Sequence, residues 1–161
     1  MGKPLMKQTA IRYHDFCMGH RVVGHEGKCR HLHGHNYRIH FHCEAAHLDE
    51  VGRVIDFSVI KQLLCEWIED HWDHKFMAWS QDKLMLALSR GLHTSYASET
   101  AEEEKDNYFD SIVAVDFNPT AENIAAHFLD HIGPKLLFGT GVQLTKVVLE
   151  ETRKCSVECS L

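Results

Sequence analysis

No apolar run in this 161-residue chain approaches the roughly eighteen residues that a bilayer-spanning helix needs. The start, Met1-Gly2-Lys3-Pro4-Leu5, also lacks the apolar core of a secretory signal, so a cytoplasmic location is expected. Basic residues are in deficit: 17 Lys and Arg stand against 23 Asp and Glu, for a formal charge of −6. That balance argues against a general nucleic-acid binder, whose affinity rests on clustered cations, and favours a small ligand. The six cysteines are scattered rather than packed into the framework of a small secreted domain, which predicts free thiols. No internal repeat or low-complexity tract interrupts the chain. With 44% hydrophobic residues, residues 1–161 are expected to form a single domain.

The most informative stretch is Cys29 to Asn36, Cys-Arg-His-Leu-His-Gly-His-Asn, which holds a thiol and three imidazoles. If the segment is extended, His33 and His35 point to the same face, because strand side chains alternate with period two. Gly34 between them allows a ligand or a neighbouring backbone to approach closely.

Earlier in the chain, Thr9 to Met18 alternates as a strand, with Phe16, Met18 and then His20 sharing one parity. Arg21 to Arg30, with Gly24 and Gly27, reads as a loop. From His33 onward Tyr37, Ile39, Phe41 and Cys43 form an apolar face whose parity includes His33 and His35. A helix follows, with Ser58 as its expected N-cap and Val59, Ile60, Leu63, Leu64, Trp67 and Ile68 as its apolar stripe; it should end near His71 to His74. Residues 80–111 form an insertion with a short helical stretch around Lys83 to Leu88, and Thr94 to Asn107, poor in apolar anchors, is expected to be mobile. Ile112 to Val115 is a short strand. Thr120 caps a second helix that Gly133-Pro134 should stop. Val142 to Glu151 and Lys154 to Ser160 complete the order strand, strand, helix, helix, strand, strand, with the insertion before the second helix.

Three neutral imidazoles with one coordination position left open are the usual arrangement of a catalytic zinc, and His20, His33 and His35 are the proposed three. The competing reading is simple histidine richness, since nine of the fourteen histidines fall between His14 and His47, and His25 or His31 could be ligands instead. Cys29 differs from Cys43 and Cys65, which read as small buried apolar residues, in its cationic neighbours Lys28 and Arg30. Those two, with Arg21, are also the local cations able to offset an anionic substrate. A histidine oriented by a carboxylate can act as acid and base near neutral pH, but Asp70-His71, Asp73-His74 and Asp130-His131 all qualify. Glu151 ends an apolar alternating run, either as a frayed strand end or as an anchor in a pocket.

Six ordered elements resemble the 6-pyruvoyl-tetrahydropterin synthase family: Phe16 to His20, Cys29 to Tyr37, Gly52 to Phe57, Asp73-His74, Asn118 to Asn123, and Glu151-Thr152. The resemblance implies that His20, His33 and His35 bind zinc, that Cys29 is the catalytic thiol and that Asp73 with His74 is the second acid/base group. It places the pterin anchor on Glu151, whose carboxylate can accept two N–H donors of the 2-amino-4-oxo ring, with Thr120 and Glu122 in the same pocket. Three residues separate Cys29 from His33, similar to the queuosine-pathway branch, whereas the animal biopterin enzymes typically have five. Arg30 stands where folate-pathway relatives carry glutamate.

The implied reaction converts 7,8-dihydroneopterin triphosphate to 6-carboxy-5,6,7,8-tetrahydropterin with loss of acetaldehyde and triphosphate. Two alternatives are the 6-pyruvoyl-tetrahydropterin synthase reaction on the same substrate and a pterin- or metal-binding module without turnover. The implied fold is the α+β tunnelling fold (T-fold), an antiparallel sheet with two main helices on one face, assembled into a homohexamer, a dimer of trimers, with active sites between subunits. Trp72, where the family commonly has leucine, and the insertion are the departures.

Overall fold

A computed structural model describes residues 7–91 and 110–161 of the chain. The alternating segments pair into a six-stranded sheet in the order β4-β3-β1-β2-β5-β6, with β1 (Ala10–His20), β2 (His33–Ala45), β3 (Lys75–Trp79), β4 (Ile112–Val115), β5 (Val142–Thr152) and β6 (Cys155–Ser160). The pairs β1–β2, β2–β5 and β5–β6 are antiparallel, as expected, but β3 joins β1 and β4 in parallel. Strand β3 was not anticipated because Lys75 to Trp79 does not alternate: Met77 and Ala78 are both buried, as in strands covered on two faces.

Each main helix is assembled from α-helical segments around a π-helical turn. The first is α1 (Phe57–Ile60), a π turn (Lys61–Cys65) and α2 (Glu66–His71); the insertion contributes α3 (Lys83–Gly91). The second is α4 (Ala121–His127), a π turn (Phe128–Ile132) and α5 (Gly133–Leu136). The predicted apolar stripe is the buried one, with Ile60, Leu64 and Ile68 inaccessible to solvent. Two boundary expectations are corrected. Asp56, not Ser58, is the N-cap: its carboxylate accepts the Ser58 N–H at 2.8 Å and the Ser58 hydroxyl at 2.7 Å, so Ser58 donates where it was expected to accept. Gly133-Pro134 does not stop the second helix. Pro134 sits in the first turn of α5, where a backbone N–H is not required, and a Cβ on Gly133 would collide with Leu144 Cδ2, so the glycine serves packing against β5.

The core lies between the helices and the inward parity of the sheet. Phe128 stacks near Phe41, and Trp72 fills the space between Phe16 (ring centroids 6.2 Å apart) and Phe128 (5.6 Å). The tryptophan is therefore a core residue. All six cysteines are free. The helical stretch expected at Lys83 to Leu88 is α3, whereas Thr94 to Asn107 falls outside the described residues. No helix among the described residues is long and apolar enough to cross a membrane.

Candidate metal centre and acid/base site

The β1–β2 register sets His20 directly opposite His33 and Met18 opposite His35. Because all three histidines share the core-facing parity, their rings converge, with centroids 4.6 Å (His20–His33), 5.2 Å (His20–His35) and 4.8 Å (His33–His35) apart. Gly34 lies opposite Gly19, and a Cβ on Gly34 would stand 3.2 Å from the Met18 carbonyl oxygen, so it is a neighbouring backbone that uses the space the glycine leaves. The Glu151 carboxylate completes the group: one ligand atom from each of His20, His33, His35 and Glu151 lies within 4.8 Å of the others. Glu151 Oε1 is 2.8 Å from His35 Nε2 and 3.3 Å from His20 Nε2.

Outer contacts orient these rings. The Nδ1 of His20 lies 2.7 Å from the Pro119 carbonyl, and that of His33 lies 2.7 Å from the His31 carbonyl. A ring nitrogen that donates to a carbonyl leaves the other nitrogen of a neutral imidazole with its lone pair available. The Nε2 atoms of His33 and His35 are buried without a hydrogen-bond partner, the condition expected of donors that share an ion. Burial holds the His35 pKa below its ordinary value against the opposing pull of Glu151, the direction that suits a metal ligand. The His20 ring beside it outweighs burial and holds the Glu151 carboxyl below its usual range. Three imidazoles and a carboxylate in this arrangement fit a zinc ion. His25 and His31, the alternative ligands, lie outside the group: His25 accepts the Gly27 N–H, and His31 contributes only its carbonyl.

Cys29 sits in a short 3-10 turn (Lys28–Arg30), half-buried, and its carbonyl accepts the Val22 N–H at 2.8 Å. Its sulfur is not among the grouped donors. Tyr37, buried with its hydroxyl 3.3 Å from His20 Nε2, has its pKa pushed up by burial first, then by Glu151 and Cys29, which places the thiol within electrostatic reach of the histidines' surroundings.

Among the described residues, Asp73-His74 is the Asp-His pair whose members hydrogen-bond to each other. His74 Nδ1 lies 2.7 Å from Asp73 Oδ2, and Asp73 Oδ1 accepts the Cys17 N–H at 2.8 Å. Burial raises the Asp73 pKa, but the bonds from Cys17 and His74 outweigh it and leave the carboxyl below its ordinary value. His74 adopts a left-handed φ of 60°, uncommon for a residue other than glycine, and its N–H donates to the Cys17 carbonyl at 2.7 Å. The other two pairs lie on the outer surfaces of their helices; His71 stacks on Trp67 instead. An open cleft of about 690 Å³ brings Asp73 and His74 together with His35, Glu151, Cys17 and Asn36. Cys29 is not among the residues that line it. Thr120 is the N-cap of α4, its hydroxyl accepting the Asn123 N–H at 3.2 Å, and Glu122 is exposed in the first turn.

Two of the expected anion-binding cations are already engaged. Arg30 donates to the carbonyls of Glu26 and Gly27. Arg21 forms a two-point pair with buried Asp82 at 2.6 and 3.0 Å and donates to the Arg30 carbonyl at 2.9 Å. Asp82 also accepts the Leu84 N–H, so the insertion is fastened to the loop that carries Cys29. Replacing Asp82 with alanine strands the Arg21 guanidinium and is expected to destabilise the fold by about 3 kcal/mol, measurable by urea denaturation. Lys28 remains exposed. Sequence reasoning missed this pair because 61 residues separate its partners; it also missed Glu151 as a neighbour of the histidines, although its parity with Val147 and Leu149 pointed inward.

A strand pair bearing three convergent histidines, with a carboxylate beside them, defines a site that could hold a metal ion on a tunnelling fold. A model of the 6-pyruvoyl tetrahydropterin synthase family matches residues 10–160, and the chain belongs to that family. It is 36% identical to the 6-carboxy-5,6,7,8-tetrahydropterin synthase of Rickettsia felis over 144 residues, which cover 89% of this chain and 94% of the relative. The Aquifex aeolicus enzyme of the same name is 32% identical over 135 residues, 81% of this chain and 75% of the relative. Among solved structures, an uncharacterised protein of Wolinella succinogenes superposes with a TM-score of 0.81 at 26% identity, covering 96% of this chain and 98% of that one. The 6-pyruvoyl tetrahydropterin synthase of Caenorhabditis elegans shares the fold, with a TM-score of 0.63 at 20% identity over 97% of this chain and 96% of that one.

Proposed function

We propose that the chain is a cytoplasmic, zinc-dependent carbon–carbon lyase of the queuosine pathway, converting 7,8-dihydroneopterin triphosphate and one water to 6-carboxy-5,6,7,8-tetrahydropterin, acetaldehyde and triphosphate. The observation that carries the reading is the convergence of His20, His33, His35 and Glu151, which bring one ligand atom each to within 4.8 Å of the others. Relatives that share a third or more of their residues with this chain and bear the name of that activity support the choice of product. Residues 1–161 act as one domain, with residues 80–111 as its insertion.

His20, His33 and His35 would hold the zinc, which would supply Lewis acidity toward the substrate side chain. The Glu151 carboxylate accepts the adjacent N–H donors of the pterin ring, and Thr120 and Glu122 line the ring pocket. Cys29 and His74 move protons at the side-chain carbons, and Asp73 fixes the orientation of His74 by accepting from its Nδ1. The chain assembles as a homohexamer, a dimer of trimers, with active sites between subunits, which lets Cys29 and His74 meet across a subunit boundary.

The same residues could serve a 6-pyruvoyl-tetrahydropterin synthase, which retains the three-carbon side chain. Trapping of acetaldehyde distinguishes the two. One acetaldehyde per pterin consumed is expected; a pterin product that keeps all three side-chain carbons, with no acetaldehyde, would assign the chain to the other reaction. A pterin- or metal-binding module would consume no substrate at all.

A further inference from the structure

Glu151 has two claims on it. The functional reading above assigns its carboxylate to the pterin ring, yet its Oε1 stands 2.8 Å from His35 Nε2 and 3.3 Å from His20 Nε2. The close approach to His35 is not an aligned hydrogen bond, since that Nε2 has no hydrogen-bond partner. For His20 and His33, the Nδ1 atoms face backbone carbonyls, so in the neutral rings the Nε2 atoms present lone pairs. A carboxylate oxygen facing imidazole lone pairs meets acceptors with an acceptor, an arrangement that repels unless a cation lies among them.

The backbone gives Glu151 unusual latitude. The β5–β6 register shifts between Glu150, opposite Ser156, and Thr152, opposite Cys155, which leaves Glu151 without a partner across the ladder. Bulges of this kind occur beside active sites, where they re-aim one side chain. The side chain also borders the open cleft that holds His74.

We propose that Glu151 is the fourth donor of the resting metal site, and that a 2-amino-4-oxopteridine ring draws this carboxylate away, opening the fourth coordination position as substrate binds. The second half rests on the functional reading; the first does not. The exchange makes the two ligands antagonists. A ring without side-chain hydroxyls lowers metal affinity, and by linkage the metal lowers ring affinity by the same factor, about 10-fold within the usual range of such couplings.

The test uses the full chain loaded with cobalt(II) as a visible probe, with pterin itself as the ring and Glu151→Gln as the variant. In chelator competition without pterin, the variant is expected to hold cobalt about 10-fold or more weakly than the parent, with an altered visible spectrum. Equal affinity and an identical spectrum would overturn Glu151 as a ligand. Pterin should then change the parent's spectrum and leave that of the variant unmoved. If pterin binds the parent by equilibrium dialysis yet its spectrum stays constant, the exchange is wrong. If pterin does not bind at all, the substrate reading fails and takes the exchange with it, while the chelator result still decides the ligand claim.

Discussion

Replacing His33 with alanine is expected to leave the purified chain essentially without metal, while the protein still folds. His33 is one of three imidazoles whose convergence depends on the β1–β2 register, and its partner across that register, His20, would remain with His35 and Glu151. Two histidines and a carboxylate make a weaker, less enclosed site. Losing a group that merely orients a ligand costs about 10–100-fold in metal affinity, so losing the ligand itself should exceed about 100-fold. The fold should tolerate the change because His33 sits at the first position of β2 and is only half-buried, away from the inaccessible Ile39 and Phe41 of the same face. Metal analysis after dialysis reads the first effect, and circular dichroism the second. Full metal occupancy in His33→Ala would remove the centre from the account.

Cys29→Ala is expected to do the opposite: metal content stays at the level of the parent, and conversion of the triphosphate falls by about 10²–10⁴-fold, the usual contribution of a positioned acid/base group. The separation follows from geometry, since the Cys29 sulfur lies outside the group of four donors. Unchanged turnover would move proton transfer to another group. Loss of metal along with activity would instead make the thiol a ligand.

The centre was legible from parity. His20 continues the face of Phe16 and Met18, and His33 and His35 begin the face of Tyr37, Ile39 and Phe41, so two amphipathic strands already aimed three imidazoles into one interior. The apolar stripe of the first helix was legible for the same reason at period 3.6. What escaped depends on contacts between distant segments. Arg21 and Asp82 meet in space with no local signal, and Gly133 looks like a terminator until Leu144 is seen against it. Ser58 was expected as the cap, and only the direction of the hydrogen bond, from Ser58 to Asp56, assigns that role to Asp56. Strand β3 escaped because burial on two faces erases the alternation by which strands are recognised. The choice of Asp73-His74 over the two other pairs came from family resemblance, and the carboxylate–imidazole contact of 2.7 Å now gives it a geometric basis.

The central claim, a metal-dependent lyase acting on a pterin triphosphate, is tested most directly by incubating 7,8-dihydroneopterin triphosphate with metal-stripped protein and with the same protein reloaded with zinc, followed by mass spectrometry of the pterin products. The account predicts 6-carboxy-5,6,7,8-tetrahydropterin and acetaldehyde from the reloaded protein and unchanged substrate from the stripped one. Unchanged substrate in both, or equal conversion in both, would contradict it.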